Sequence, residues 1–516
     1  MIIDQFDAGV AKHPQRVCVQ SDAVRMTYVE VADASHALAH ALAERGLARA
    51  HIGILCPNDP VGYVTMLGIV RAGAAYVPLN ARDAIEDLIW FMAFVELSAL
   101  VVDRRFLPEV ERIRGGVPTL REVIVLDGEG GGLPSVTAWM REHAGARVET
   151  RGDLDDIALI KSSGGTTGRP KAIMQSHRAL HALYRASNRF CPPAKEPVHL
   201  VVAPLTHAAG ATAIGLSPFG TRNVIAPSAD PAVVLALIER ERVTHVFLPP
   251  TMIYRLLAHP DARTRDCSSL EYLIYGAAPM SVDKLREGLA LWGPVFMQIY
   301  GQAEVPGMIT CLSRHDHDIR GNPSDTRHLA SAGRPTGACE VALMDDDGRF
   351  VDVGERGEIV ARGELVTPGY FNNPEATAEA RAHGWHHTGD IGVFDGNGFL
   401  YIVDRKKDMI ISGGFNVYPS EIEQLIWSHP AVQDCAVVGV PDADWGERVT
   451  AIVELKPGST ASADEIIALC RARLGGTKAP KHVEFWPTLP RSPVGKVLKK
   501  DVRTVLADAK NSAAKP

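Results

Sequence analysis

Cysteine is scarce and scattered: eight residues in a chain of 516, with no Cys-x-x-Cys pair. Such spacing argues against a disulfide framework or a zinc site and favours reduced thiols inside cores. Long apolar runs are missing too. The most apolar stretch, Leu88 to Val102, carries Glu96 and falls short of the ~18–20 residues that a bilayer span needs; it reads as a buried helix running into a strand. Charge of one sign is not in large excess, with 54 basic against 61 acidic residues and a net of −7, so no whole-surface attraction to nucleic acid is expected. The opening Met-Ile-Ile-Asp-Gln-Phe-Asp, with acids at Asp4 and Asp7, lacks the basic-then-apolar order of a secretory signal. A cytoplasmic protein without a transmembrane segment is expected.

What is present describes a globular chain: 46% hydrophobic and 22% charged residues, over a length that outgrows a single core and so requires at least two domains. Residues 29 to 103 alternate helical and strand signals, with a helix over Val29 to Glu44, a strand over Ile52 to Cys56, a helix over Pro60 to Ala72 and a strand from Ala75 to Pro78. The rhythm returns from 155 to 300, with strands at Ile157 to Ile160, His199 to Ala203, Val243 to Leu248 and Tyr272 to Tyr275. Both stretches predict parallel α/β layers. From about 330 to 403 shorter runs are broken by Gly and Asp, and Asp395-Gly396-Asn397-Gly398 signals a hairpin in a small β-rich subdomain. After Asp404-Arg405-Lys406-Lys407-Asp408 the chain restarts with a helix (Ser420 to Ser428), strands (Ala436 to Val440, Ala451 to Leu455) and a helix (Ser462 to Leu474). The expectation is an α/β fold: a large N-terminal domain over 1–403, made of two α/β layered subdomains plus the β-rich one, and a smaller, mobile α+β C-terminal domain over 404–516. The hinge is expected at Asp404, a capping box from Ser420 to Glu423, and a disordered tail from Ala509 to Pro516.

The strongest chemical signal is Ser162-Ser163-Gly164-Gly165-Thr166-Thr167-Gly168-Arg169-Pro170-Lys171, directly after an apolar strand. Its glycines let backbone N–H groups approach an anion and its hydroxyls add donors, which makes a phosphate cradle. It is not a Walker loop, because Arg169 and Pro170 separate Gly168 from Lys171 and no Ser or Thr follows the lysine. Gly276-Ala277-Ala278-Pro279 follows a strand and keeps small side chains where a flat ring could lie. In Tyr300-Gly301-Gln302-Ala303-Glu304, Tyr300 offers a stacking face and Glu304 a hard oxygen ligand suited to Mg²⁺.

The phosphate-cradle segment resembles the signature loop of the adenylate-forming superfamily of acyl-CoA synthetases, adenylation domains and luciferases. Further matches arrive in that family's order: Gly276 to Pro279, Tyr300 to Glu304, Gly357 to Gly363, Trp385-His386-His387-Thr388-Gly389-Asp390, Asp404 to Asp408, and Pro490-Arg491-Ser492-Pro493-Val494-Gly495-Lys496. The resemblance covers nearly the whole chain. It implies an ATP-dependent acid–thiol ligase using ATP, Mg²⁺ and coenzyme A on a small-molecule carboxylic acid, acting as a monomer or homodimer. The implied nucleotide site comprises Ser163, Gly164, Gly165, Thr166, Thr167, Gly168, Lys171, Gly276, Ala277, Ala278, Tyr300, Gly301, Gln302, Ala303, Asp390 (ribose hydroxyls) and Arg405 (ribose or phosphate). Ala303 departs from the family's usual Thr and removes a hydroxyl, for which Thr166, Thr167 and Glu304 are expected to compensate.

Catalysis is assigned to Lys496, with Glu304 and Thr166. The acid is already ionised at pH 7, so adenylation needs correctly placed positive charge rather than a general base. Pro204-Leu205-Thr206-His207-Ala208-Ala209-Gly210-Ala211 resembles the family's pocket-lining segment. The acyl site is accordingly expected at His207, Ala208, Gly210, Ala211 and Gly276. The segment offers no carboxylate to anchor an α-ammonium and its small residues leave room, so a bulky apolar acid (aryl, alicyclic or fatty) is expected. His207 reads equally as a gate or as a satisfied buried histidine. Gly413, Gly414, Phe415 and Trp445 resemble CoA-contacting positions. The alternatives are loading of a carrier protein's phosphopantetheine, luciferase-like oxidation and a non-catalytic nucleotide sensor.

Overall fold

The computed structural model describes residues 1–128, 130–149, 152–163, 170–194, 196–321, 326–442, 444–491 and 497–513, the side chains of 509–513 aside. Four sheets organise it. A seven-stranded sheet holds His51–Leu55, Ala75–Leu79, Ala99–Val102 and Glu122–Val125 in parallel, all but wholly buried, as expected where helices cover both faces. Its strand Ile157–Ser162 runs parallel to Ala75–Leu79 and then antiparallel to Ala172–Ser176. The expected phosphate loop therefore joins the two strands of a hairpin. A nine-stranded sheet contains Val198–Val201, Arg222–Ile225, His245–Phe247, Tyr272–Tyr275 and Phe296–Tyr300, again parallel to one another, and continues antiparallel through Thr310–Leu312. The β-rich subdomain is a four-stranded antiparallel sheet of Glu340–Met344, Arg356–Arg362, His386–Phe394 and Leu400–Arg405, with the expected turn at Asp395, whose Oδ1 accepts the Asn397 and Phe399 amides.

Local chemistry explains several boundaries. Thr27 and Glu30 form a reciprocal capping box at the start of Tyr28–Glu44. Asp59 caps Pro60–Arg71, which has proline at its first position.

A five-stranded sheet with the helices Pro419–Trp427, Ala463–Lys478 and Lys499–Ala513 forms the C-terminal part. Among the described residues the buried apolar clusters fall either at or before Leu400 or at and after Ile410; none spans the two. Two expectations fail here. Ser420 and Glu423 form no capping box: the helix begins at Pro419, the Ser420 amide donates to Asp404 Oδ2 (2.8 Å), and Glu423 turns inward to accept the Val437 amide (2.7 Å) and pair with Lys499. Of the tail expected to be disordered over 509–516, residues through Ala513 are helical and 514–516 lie outside the described residues; Val502 and Leu506 bury against the strand Val432–Asp442 and anchor this helix.

Candidate functional site

The hairpin that should carry the phosphate loop is closed at its neck. The Ser163 amide donates to the Lys171 carbonyl (2.7 Å), and the Lys171 amide donates to Ser163 Oγ (2.8 Å). Gly164, Gly165, Thr166, Thr167 and Gly168 lie outside the described residues. The Lys171 ammonium sits 4.6 Å from the ring centre of Tyr370, whose hydroxyl donates to Glu304 Oε1 (3.0 Å). Burial and the Glu304 charge push that phenol well above its usual range, so Tyr370 stays a donor. The loop neck and the expected Mg²⁺ ligand are thereby bound to one aromatic residue.

A second group converges on Asp390. Tyr300 donates its hydroxyl to Asp390 Oδ2 (2.8 Å), and Arg405 Nε lies 3.0 Å from Oδ1. Tyr300 is buried, and burial together with Asp390 raises its phenol far above normal. The small residues nearby have steric reasons. A Cβ on Gly276 would meet the Ile299 carbonyl at 2.5 Å, and one on Gly301 would meet the Gly307 amide nitrogen at 2.6 Å. Ala277 adopts φ +65°, a left-handed conformation uncommon without glycine. Gln302 Nε2 reaches the Thr388 carbonyl at 3.4 Å, and the Ala303 carbonyl accepts from Gln175 Nε2 (2.7 Å). Ala278 continues the turn, half-buried between the exposed Ala277 and Pro279.

Next to these groups opens a cavity of about 460 Å³. His207, Ala208, Gly210 and Ala211 line it, with Ala277, Gly301, Gln302 and Ala303 on the same surface. Gly276 is absent from the wall and packs on Ile299 instead; its neighbour Ala277 takes that place. Burial, assisted by the charge of Lys161, pushes His207 down to about 4, and its Nδ1 shares a 2.8 Å hydrogen bond with Thr206 Oγ1. The histidine is a neutral, oriented polar group at working pH.

The C-terminal candidates stand elsewhere. Asp404 belongs to the strand Leu400–Arg405 and is buried; its carboxylate accepts the Arg405 and Ser420 amides, joining the β-rich sheet to the first C-terminal helix. Gly413 and Gly414, at φ +57° and +79°, make the tight turn between Ile410–Ser412 and Phe415–Val417. The Gly413 amide donates to the Trp445 carbonyl (2.8 Å), so the turn and Trp445 form one patch. Phe415 is 61% exposed, and among the described residues none beyond Met308 lines the cavity. Lys496 lies outside the described residues.

Sequence reasoning missed Tyr370, Gln175 and Lys161. Lys161 was open to detection as a charge alternating with Leu159 in an apolar strand. Tyr370 sits in the two-residue strand Gly369–Tyr370, whose partner is about 200 residues away in sequence, and no local pattern marks it.

The chain matches the AMP-binding enzyme family over residues 6–371 and the AMP-binding enzyme C-terminal domain over residues 421–496. It is 36% identical over 471 residues to a medium/long-chain-fatty-acid–CoA ligase, FadD8, of Mycobacterium tuberculosis, an alignment covering 88% of this chain and 80% of that one. It is 36% identical over 500 residues to a feruloyl-CoA synthase of Amycolatopsis, covering 95% and 96%. Among solved structures it resembles the amide bond synthetase McbA of Marinactinospora thermotolerans, with a TM-score of 0.89, 30% identity, and coverage of 98% and 100%.

Proposed function

On the premise that this chain belongs to the AMP-binding enzyme family, we propose that it is an ATP-dependent acyl-CoA ligase for a bulky, largely apolar carboxylic acid. The observation that carries the acid class is the cavity of about 460 Å³ walled by small and apolar residues beside Ala277, Gly301 and Ala303. In the first step a carboxylate oxygen of the acid attacks the α-phosphorus of ATP, the α–β bridging bond breaks, and pyrophosphate leaves. In the second the CoA sulfur attacks the acyl carbonyl, the bond to AMP breaks, and the thiol proton passes to solvent. The adenylate makes this transfer easier because AMP leaves readily.

The residues divide this work. Asp390, flanked by Tyr300 and Arg405, would take the ribose hydroxyls, and the neck residues Ser163 and Lys171 would hold the loop at the phosphates. Glu304 fits Mg²⁺: among the described residues its carboxylate enters no ion pair, and only Oε1 is hydrogen-bonded, to Tyr370. Mg²⁺ held there would neutralise charge on the phosphates. Lys496 would bring positive charge to the attacking carboxylate and the α-phosphate, a contribution worth ~2–4 kcal/mol. Asp404 would act as the hinge near which the N- and C-terminal domains meet. The turn at Gly413 to Phe415, with Trp445, would approach the cavity after rotation and accept the pantetheine arm.

The test is pyrophosphate release with MgATP across aryl, alicyclic and fatty acids, with and without CoA, products read by mass spectrometry. A CoA thioester from at least one acid is expected. Adenylate without thioester would move the acceptor to a carrier protein, and ATP binding without pyrophosphate from any acid would overturn the reading. Lys496→Ala should lower adenylation about 30- to 10³-fold, leave folding nearly unchanged, and largely spare thioester formation from supplied acyl-AMP.

A further inference from the structure

The acid cavity contains a charge that its apolar walls do not explain. Leu159 and Lys161 alternate along Ile157–Ser162, so both leave the same face of the sheet and reach the cavity, as does Gln175 on the paired strand. Among the described residues Lys161 makes no ion pair and no side-chain hydrogen bond. No Asp or Glu is among the described residues lining the cavity, and the two other cations there, Arg82 and Arg255, are exposed. His207, close enough to feel the lysine's charge, is neutral and cannot balance it. Burial lowers Lys161 to about 8, which leaves it largely protonated at neutral pH. An ammonium withdrawn from water without a counter-charge is costly. It becomes useful when a bound molecule supplies the missing acceptor.

We propose that Lys161 determines acid specificity by pairing, inside the cavity, with a second oxygen acceptor on the acid (a distal carboxylate, phenol or ketone) that is separate from the carboxylate being activated. This rests on the ligase reading above and narrows its substrate class. The activated carboxylate is a poor partner for Lys161, because it loses its negative charge on becoming the mixed anhydride. An ammonium dedicated to it would be stranded among Leu159, Met297 and their apolar neighbours from adenylate formation until product release. A distal acceptor keeps its charge or dipole through both half-reactions. For a plain hydrocarbon acid Lys161 is a penalty, since closing the cavity over the chain removes the lysine's water and returns nothing.

The test uses the full-length protein with MgATP and CoA and matched acids: octanoic against octanedioic acid, and cinnamic against 4-hydroxycinnamic acid. The acceptor-bearing member of at least one pair should have a kcat/KM about tenfold or more above its plain partner. Lys161→Met should shrink that ratio to within about threefold by raising KM for the acceptor-bearing acid while sparing or improving the plain one; Lys161→Arg should keep most of it. Equal losses for both members in Lys161→Met, or a wild-type preference for the plain acids, would overturn the proposal while leaving the ligase reading intact. If no acid gives adenylate or thioester, the ligase reading fails. The same pairs are then compared by thermal stabilisation of the AMP-bound protein, where acceptor-dependent stabilisation lost in Lys161→Met supports the role of Lys161 and its absence in wild type refutes it.

Discussion

Lys499→Met should destabilise the C-terminal part severely, and adding Glu423→Gln should restore most of the loss. Lys499 opens the helix Lys499–Ala513, and its Nζ lies 2.8 Å from Glu423 Oε1, with the two side chains only 17% and 6% exposed. The same oxygen accepts the Val437 amide (2.7 Å). Burial pushes the Glu423 carboxyl up; burial opposes the charge on Lys499, and Glu423 and the nearby Asp404 more than offset it. Removing the lysine strands a buried carboxylate, a loss of about 3–5 kcal/mol. Glutamine at 423 can still accept the Val437 amide without the charge, so the double variant should recover about 2 kcal/mol or more, a coupling that a double-mutant cycle isolates. The assay is urea unfolding together with hydrogen exchange of the amides in Val432–Asp442, which reads this part separately. Lys499 also anchors the chain just beyond Lys496, so adenylation should fall in Lys499→Met and recover in the double variant, whereas Lys496→Ala should not be rescued. A single-variant loss below about 1 kcal/mol, or a double variant no more stable than the single, would refute the buried-pair argument.

Acid should unfold this protein partly through its buried histidines. Burial lowers His199 and His317 to about 4 and His245 to about 3, below the ~6.5 of an unfolded chain. Between pH 6.5 and 4 the unfolded state therefore binds protons that the native state refuses. The stabilisation is complete above about pH 6.5 and fades as pH falls, by up to about 1.4 kcal/mol per pH unit for each histidine. Thermal melts from pH 7.5 to 4.5 should show this slope, reduced in His317→Gln; a melting temperature that rises on acidification would contradict it. Gly301→Ala should raise KM for ATP and cost about 1–3 kcal/mol of stability, because its Cβ would press on the backbone of Gly307 and shift the turn carrying Gln302 to Glu304. Steady-state kinetics and melting curves read both effects, and an unchanged KM would argue that this turn does not hold nucleotide.

Much of the fold was legible because strands with both faces covered leave continuous apolar runs, as at Tyr272 to Tyr275, and because Gly and Asp punctuate hairpins such as Asp395 to Gly398. The motif residues were legible for a related reason: close backbone approach admits only small side chains, and Gly276 and Gly301 do abut backbone. What failed depended on partners distant in sequence. Ser420 and Glu423 have capping-box spacing, yet Asp404 takes the helix amide and Lys499 takes the glutamate. The tail's composition reads as disorder, but two apolar residues one turn apart, Val502 and Leu506, suffice to dock its helix. The Lys171–Tyr370–Glu304 group joins three segments that no local periodicity connects.

The proposed rotation near Asp404 is energetically credible because little apolar surface has to separate. Among the described residues each buried apolar cluster stays on one side of the junction. Among the described residues the contacts that cross it include Lys406 with Asp346 (2.6 Å) and Glu358 (3.3 Å), and Arg356, 44% exposed, which pairs with Glu421 (2.7 Å) and stacks over Tyr418 at 4.7 Å. Exposed pairs of this kind contribute about 0–1 kcal/mol, and a cation over an aromatic ring at the surface about 0.5–1 kcal/mol. Water can replace both at small cost. Asp404 itself is different, buried and bonded to the amides of Arg405 and Ser420. Such a carboxylate would hold the pivot while the weak contacts around it exchange. If Lys496 and the Gly413 turn serve the two half-reactions in turn, as proposed, a joint of this kind suits them: a buried carboxylate at the pivot, with exposed polar contacts such as Arg356–Glu421 exchanging around it.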